Sequence, residues 1–202
     1  MQDAWQLHHP SFSETRANPV SGSDLYEALQ ELAQEYDLDP QTWTLAITGG
    51  EPLVQYKFLQ SWLPQWQGPV LLETAGIWSE RLACLLPHLD SVSLDWKLNS
   101  ALEQGQGLQE PATCAQLCRQ AGVDFWVKIV VDGATSEVEL SAALESLSHA
   151  VPGATVFLQP ATVLAEETPV AEGFLLAAML RHKGTPLDLR VRPQIHPLLG
   201  VL

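Results

Sequence analysis

Residues 48–52 read TGGEP and close a short apolar run, a place from which chemistry can be done. Two adjacent glycines let the backbone approach a ligand closely and leave N–H groups available to an anion. Glu51 adds a carboxylate beside them, and Pro52 suits the first turn of a following helix. The same five residues also suit a plain strand-to-helix turn. Lysine gives a second signal. The chain has four lysines, and two of them, Lys97 and Lys128, fall in runs with strand character. A lysine on a buried strand either serves a site or pairs with a carboxylate such as Asp95 as a structural ion pair. A desolvated lysine there is also able to form a Schiff base with a carbonyl substrate.

Positioning such groups takes a regular scaffold, and the sequence predicts one. Short apolar runs at 42–48, 70–74, 92–97, 125–131, 155–159 and 187–191 read as strands. Longer amphipathic runs at 52–66, 79–87, 111–121, 137–149 and 167–182 read as helices between them. Ahead of these, apolar spacing from Leu25 to Tyr36 predicts a helix with Ser23 as its N-cap. Residues 1–21 read as irregular, and 99–110 as a loop rich in Gly and Gln. Alternating strands and helices imply right-handed βαβ units and a parallel sheet in a single domain over residues 1–202. Nearly every strand ends in polar groups: ITGGEP, LLETAG, SLDWK, WVKIVVDG, FLQP and RVRPQIHP. The carboxyl ends of parallel strands share one face, where α/β enzymes place their sites.

Composition narrows the classes. The 202 residues carry a formal charge of -14 with only 10 basic side chains, which excludes a broad nucleic-acid surface. Apolar residues at 46% against 17% charged exclude a disordered chain. No apolar run reaches the roughly 20 residues of a membrane span. Three cysteines make no even disulfide framework, and the polar start has no signal-peptide pattern, so the expected location is the cytoplasm.

TGGEP, ETAG, SLDWK, VKIV, LQP and RVRPQIHPLLG, in that order, resemble the radical S-adenosylmethionine superfamily, and within it the 7-carboxy-7-deazaguanine synthases. The resemblance runs from about Val20 to Leu202. It implies a partial TIM-like (βα)6 barrel lacking its first strand, and a homodimer. It implies S-adenosylmethionine, a 4Fe–4S cluster and Mg2+ as cofactors, with flavodoxin or ferredoxin as electron donor. The implied reaction, a carbon–nitrogen lyase step towards queuosine and other 7-deazapurines, converts 6-carboxy-5,6,7,8-tetrahydropterin to 7-carboxy-7-deazaguanine with loss of ammonia. Carried over by position, Gly49, Gly50 and Glu51 are expected at the amino-acid end of S-adenosylmethionine. Ser93, Asp95 and Lys97 are expected at its ribose or carboxylate, and Gln159, Pro160, Ala161 and Thr162 along its adenine. Thr48 is expected to touch the pterin; Glu73, Lys128, Gln194 and His196 are placed there by the barrel face alone.

One part of the pattern is absent. The family binds its cluster through C-x3-C-x2-C, with thiolates as ligands, whereas the first cysteine here is Cys84. The hydroxyl residue that follows that motif and binds Mg2+ has no counterpart either. Cys84, Cys114 and Cys118 fall on helices and are expected to be buried apolar groups. His8 and His9 are expected to be solvated. MQDAWQ resembles the stretch that follows the cysteine motif in the family. Three expectations result: a synthase chain truncated before Met1 and inactive as it stands; a cluster-less homologue that binds a nucleotide or pterin or serves as a partner subunit; and a Schiff-base barrel enzyme using Lys97 or Lys128.

Overall fold

The computed structural model describes residues 4–9, 12–39, 41–98, 111–161 and 170–194. Its centre is a six-stranded, wholly parallel sheet in sequence order: β3 (Leu45–Ile47), β4 (Val70–Thr74), β5 (Ser91–Lys97), β6 (Asp124–Val131), β7 (Thr155–Pro160) and β8 (Asp188–Val191). Helices connect them: α2 (Tyr56–Trp62), α3 (Ser79–Leu85), α4 (Pro111–Ala121), α5 (Glu137–Ala150) and α6 (Phe174–Arg181). Neighbours in the sheet are neighbours in the chain, which is how successive right-handed βαβ units curl into an open barrel. The expected (βα)6 architecture is the one observed.

The two faces of the sheet differ in chemistry. Leu72, Val92, Leu94, Val127, Ile129, Val131, Val156 and Leu158 lie on one face, and none has any exposed surface. Leu82, Leu85, Cys114, Ala115, Cys118, Leu140, Leu144 and Leu147 of the helices complete that core. Burying each large aliphatic side chain contributes roughly 2 kcal/mol. The alternate positions, Glu73, Ser93, Asp95, Trp126, Lys128 and Gln159, point the other way because strand side chains alternate.

Several boundaries depart from the sequence reading, each for a local reason. Residues 1–21 are not irregular where described. Strands β1 (Ala4–His9) and β2 (Phe12–Ala17) pair antiparallel, with His9 opposite Phe12. A two-stranded ribbon buries little, so it needs no strong alternation of apolar residues. Arg16 ties it to α1 (Gly22–Glu35), bonding Glu14 at 2.9 Å and Glu31 at 2.7 Å. The strand expected at 42–48 starts only at Leu45, because Asp39 folds Gln41 and Thr42 into a turn. The helix expected at 167–182 begins at Phe174, after Gly173 at φ +77°. The run at 52–66 is α-helical only over Tyr56–Trp62, with tighter 3-10 turns carrying Pro52 and Pro64 on either side. The loop at 99–110 lies outside the described residues.

The N-cap of α1 is Ser21, not Ser23. Ser21 Oγ accepts the Asp24 N–H at 3.1 Å, and the Asp24 carboxylate accepts the Ser21 N–H at 3.3 Å, a closed capping box. Ser21→Ala is expected to lower stability by about 1 kcal/mol, and Ser23→Ala by less than about 0.5 kcal/mol. Urea midpoints of the two variants make the comparison.

Candidate functional site

The polar face of the sheet opens into a cleft of ≈ 590 Å³. Its wall takes Thr48 after β3, Glu73 from β4, Ser93, Asp95 and Lys97 from β5, and Trp126, Lys128 and Val130 from β6. Gln159 of β7 and Arg192, Pro193 and Gln194 beyond β8 complete it. The register explains the convergence. Glu73 is level with Ser93, Ser93 with Trp126, Asp95 with Lys128, and Lys97 with Val130, which is level with Gln159. Parallel strands in sequence order thus gather polar side chains from three successive levels of four strands onto one face.

Lys128 is the electrostatic centre. Its ammonium lies 2.8 Å from Asp95 and 3.1 Å from Glu73, bridging three strands. Burial alone would pull the lysine down, but the two carboxylates outweigh it and hold its pKa above 10.5. Burial pushes the Asp95 carboxyl upward, against the pull of Lys128. A Schiff-base lysine must be neutral to attack, so this geometry argues against that role for Lys128. The structural ion pair weighed in the sequence reading is present, and it lines the cleft. Lys97 and Arg192 add positive charge at the same cleft in a chain of net charge -14.

Ser93 is fully buried, and its hydroxyl bonds to no group among the described residues. A buried hydroxyl without a partner is costly unless a ligand or water completes it. Its neighbours Asp95 and Lys97 offer an acceptor and a cation, a donor set suited to a ligand with hydroxyls and a carboxylate.

A second cavity of ≈ 610 Å³ adjoins the cleft. Thr48 lines both, and Gly49, Glu51, Pro52, Val20, Ile47 and Phe58 belong to the second. Gly49 and Gly50 adopt φ +88° and +54°, where L side chains are strained. Glu51 has both carboxylate oxygens engaged: Oε1 accepts from Leu53 N–H (3.0 Å) and Thr74 Oγ (2.7 Å), and Oε2 from Ala75 N–H (2.8 Å). The residue expected to meet a ligand's charged end thus ties the β3–α2 turn to the end of β4.

Of the residues singled out in the sequence, Thr48, Glu73, Ser93, Asp95, Lys97, Lys128, Gln159 and Gln194 share the cleft. Gly50, Pro160 and Ala161 do not line either cavity; the Ala161 N–H donates to Val131 O at 2.8 Å. Thr162 and His196 lie outside the described residues. Trp126 and Arg192 were not anticipated. The period of two through Lys128 points to Trp126, while Arg192 sits beyond the last strand, where no period applies.

The cysteines do not fit a metal cluster. Cys114 and Cys118 are buried in the helix layer, and burial pushes the Cys118 thiol up to about 12, so it is not a ready thiolate. Cys84, expected to be buried, is only partly so on the flank of α3, and its thiol donates to Glu80 O. Among the described residues, no group of three or more His, Cys, Asp or Glu is placed to hold a metal ion; the side chains of His8 and His9 lie outside the described ones. Among them also, no helix is long and apolar enough to cross a membrane.

Comparison with known proteins gives concordant relatives. No family model matches the chain. It is 31% identical over 189 residues to the 7-carboxy-7-deazaguanine synthase of Methanopyrus kandleri, covering 91% of this chain and 69% of that protein. It is 27% identical over 164 residues to the 7-carboxy-7-deazaguanine synthase of Geobacter sulfurreducens, covering 79% and 64%. The chain thus spans about two thirds of the length of these curated relatives. Two solved structures share the fold. A radical SAM methyltransferase from Sphaerobacter thermophilus superposes with TM-score 0.55 at 17% identity, over 85% of this chain and 58% of that one. Streptococcus suis SuiB bound to S-adenosylmethionine gives TM-score 0.57 at 13% identity, over 89% and 45%.

Proposed function

From the membership of this chain in the 7-carboxy-7-deazaguanine synthase family of radical S-adenosylmethionine proteins, we propose that it carries the cofactor- and substrate-binding face of such a synthase. The reaction is the conversion of 6-carboxy-5,6,7,8-tetrahydropterin to 7-carboxy-7-deazaguanine with release of ammonia. The observation that supports this reading is the polar face of the sheet that lines the cleft, with a Ser93 hydroxyl that has no partner among the described residues.

In this reading Ser93, Asp95 and Lys97 hold S-adenosylmethionine, with the Gly49–Gly50 backbone at its amino-acid end. Gln159 and the chain after it lie along the adenine. Thr48, Glu73, Lys128, Gln194 and Arg192 face the pterin, the cations matching its carboxylate. S-adenosylmethionine supplies the family with the 5′-deoxyadenosyl group that takes a hydrogen atom from the substrate. This chain's residues bind, orient and exclude water from the two ligands. Its cysteines do not supply a cluster, so no electron-transfer step is assigned to them. A homodimer, a flavodoxin or ferredoxin donor, Mg2+ and a cytoplasmic location belong to the same reading.

A second reading has its own observation. Cys114 and Cys118 are packed in the core and Cys84 lies partly exposed on α3, the observation behind a cluster-less homologue that binds a nucleotide or pterin or serves as a partner subunit. Only the first reading requires the cleft to bind S-adenosylmethionine. Calorimetric titration of the chain is expected to show binding that Asp95→Asn weakens by about tenfold, roughly 1.4 kcal/mol. Absence of binding overturns the first reading.

A further inference from the structure

We propose that Thr74, a residue that lines neither cavity, is a positioning residue for the two-glycine turn, acting through Glu51. The proposal rests on the S-adenosylmethionine-binding reading above and goes beyond it by assigning a role to the ETAG stretch. Thr74 ends β4 on the apolar side of the sheet and is 2% exposed. Its hydroxyl donates to Glu51 Oε1 at 2.7 Å and accepts the Gly76 N–H at 3.2 Å. Ala75 N–H adds the bond to Glu51 Oε2. ETAG is therefore a bracket that grips the carboxylate of TGGEP from a strand away.

The grip matters because of what lies between the anchors. Gly49 and Gly50 have no side chains, and among the described residues no atom beyond their chain neighbours comes within 4 Å of where a Cβ would sit. No side-chain packing on that side fixes them. They are suspended between β3, which ends at Ile47, and Glu51, whose carboxylate is fixed to β4. Two glycines lose more conformational freedom on ordering than any other pair. A turn ordered in advance binds its ligand more tightly than one ordered by the ligand. Fixing Glu51 removes one end of that freedom before a ligand arrives.

If Glu51 instead contacts the ligand directly, Thr74 is only a satisfied core hydroxyl. Thr74→Val removes the hydroxyl, and Thr74→Ser keeps it while removing the methyl group. Two readouts are taken on each protein: the dissociation constant for S-adenosylmethionine, and amide hydrogen exchange at Leu53 and Ala75, whose N–H groups Glu51 accepts. Thr74→Val is expected to weaken binding roughly tenfold and speed exchange at Leu53 and Ala75 by a similar factor. Exchange at Val127 and Ile129 stays unchanged, and Thr74→Ser restores both readouts. In Glu51→Gln/Thr74→Val the two losses are expected not to add.

Unchanged binding in Thr74→Val overturns the proposal while leaving the binding reading intact. So does exchange that rises equally at Val127 and Ile129, which marks general loosening, and so does failure of Thr74→Ser to rescue. Absence of binding by the unsubstituted chain overturns the binding reading and this inference with it.

Discussion

Gly76→Ala is expected to lower the stability of the chain by about 3 kcal/mol. Two effects add. Gly76 adopts φ +66°, and an L side chain in that region costs roughly 1–2 kcal/mol. A Cβ there would also lie 3.3 Å from Pro111 Cα, 3.6 Å from Cys114 Sγ and 3.6 Å from Leu94 Cδ2. Pro111 opens α4 and its backbone does not yield easily, so overpacking contributes roughly a further 1–3 kcal/mol. Gly153→Ala separates the two effects. Gly153 adopts φ +85° but has nothing within 4 Å of its Cβ direction, so only the backbone cost of about 1–2 kcal/mol applies. Urea denaturation of both variants is the check. Equal midpoints would mean that the β4–α3 loop moves freely away from α4.

Lys128→Met is expected to cost about 2 kcal/mol and to abolish tight ligand binding. Removing one partner of a fully buried ion pair typically costs about 3–5 kcal/mol. Here Glu73 and Asp95 keep 33% and 36% of their side-chain surface, so water recovers part of that. Asp95→Asn added to Lys128→Met is expected to restore part of the stability by removing one of the stranded charges. The pH dependence has a definite sign. The folded pKa of Lys128 lies above its ordinary 10.5, so the stabilisation is complete below that value. It is lost as pH rises through the folded value, when the ammonium gives up its proton. Asp95 has the same sign in an acidic window: its raised carboxyl favours the fold as pH falls through its folded value towards 3.8. Unfolding curves from pH 8 to 12 should therefore fall more steeply for the unsubstituted chain than for Lys128→Met. Parallel curves would show that the lysine is not bound by its neighbours.

The repeating part of the fold is legible because hydrophobic periodicity is local. The apolar run at 70–74 and the helical spacing at 111–121 coincide with β4 and α4 residue for residue. The cleft is legible for a related reason. A polar residue at every second position of a strand that should be apolar is a local anomaly, and Ser93, Asp95, Lys97 and Lys128 are such anomalies. What escaped depends on distance along the chain. The bonds from Glu51 to Thr74 and Ala75 span 23 and 24 residues, and no spacing rule reaches that far. Glu51 was legible as important but not as a tie between loops. Ser21 and Ser23 are both acceptable caps by composition, and only the reciprocal bond with Asp24 decides between them. The β1–β2 ribbon has its anchor in Arg16 and Glu31, a contact between segments that look independent in sequence.

The division of the sheet into an apolar face and a polar face has a bearing on how such a protein can change. Along β4 to β7, neighbouring positions answer to different demands: Leu94 to the helices, Asp95 to the cleft; Ile129 to the helices, Lys128 to the cleft. A substitution at one position is felt by folding, and at the next by ligand choice. A lineage that takes up a new ligand can therefore rewrite alternate letters of four strands while the letters between them keep the chain folded. Saturation mutagenesis of β5 and β6 would display this as a two-residue beat, with abundance and binding falling at alternate positions.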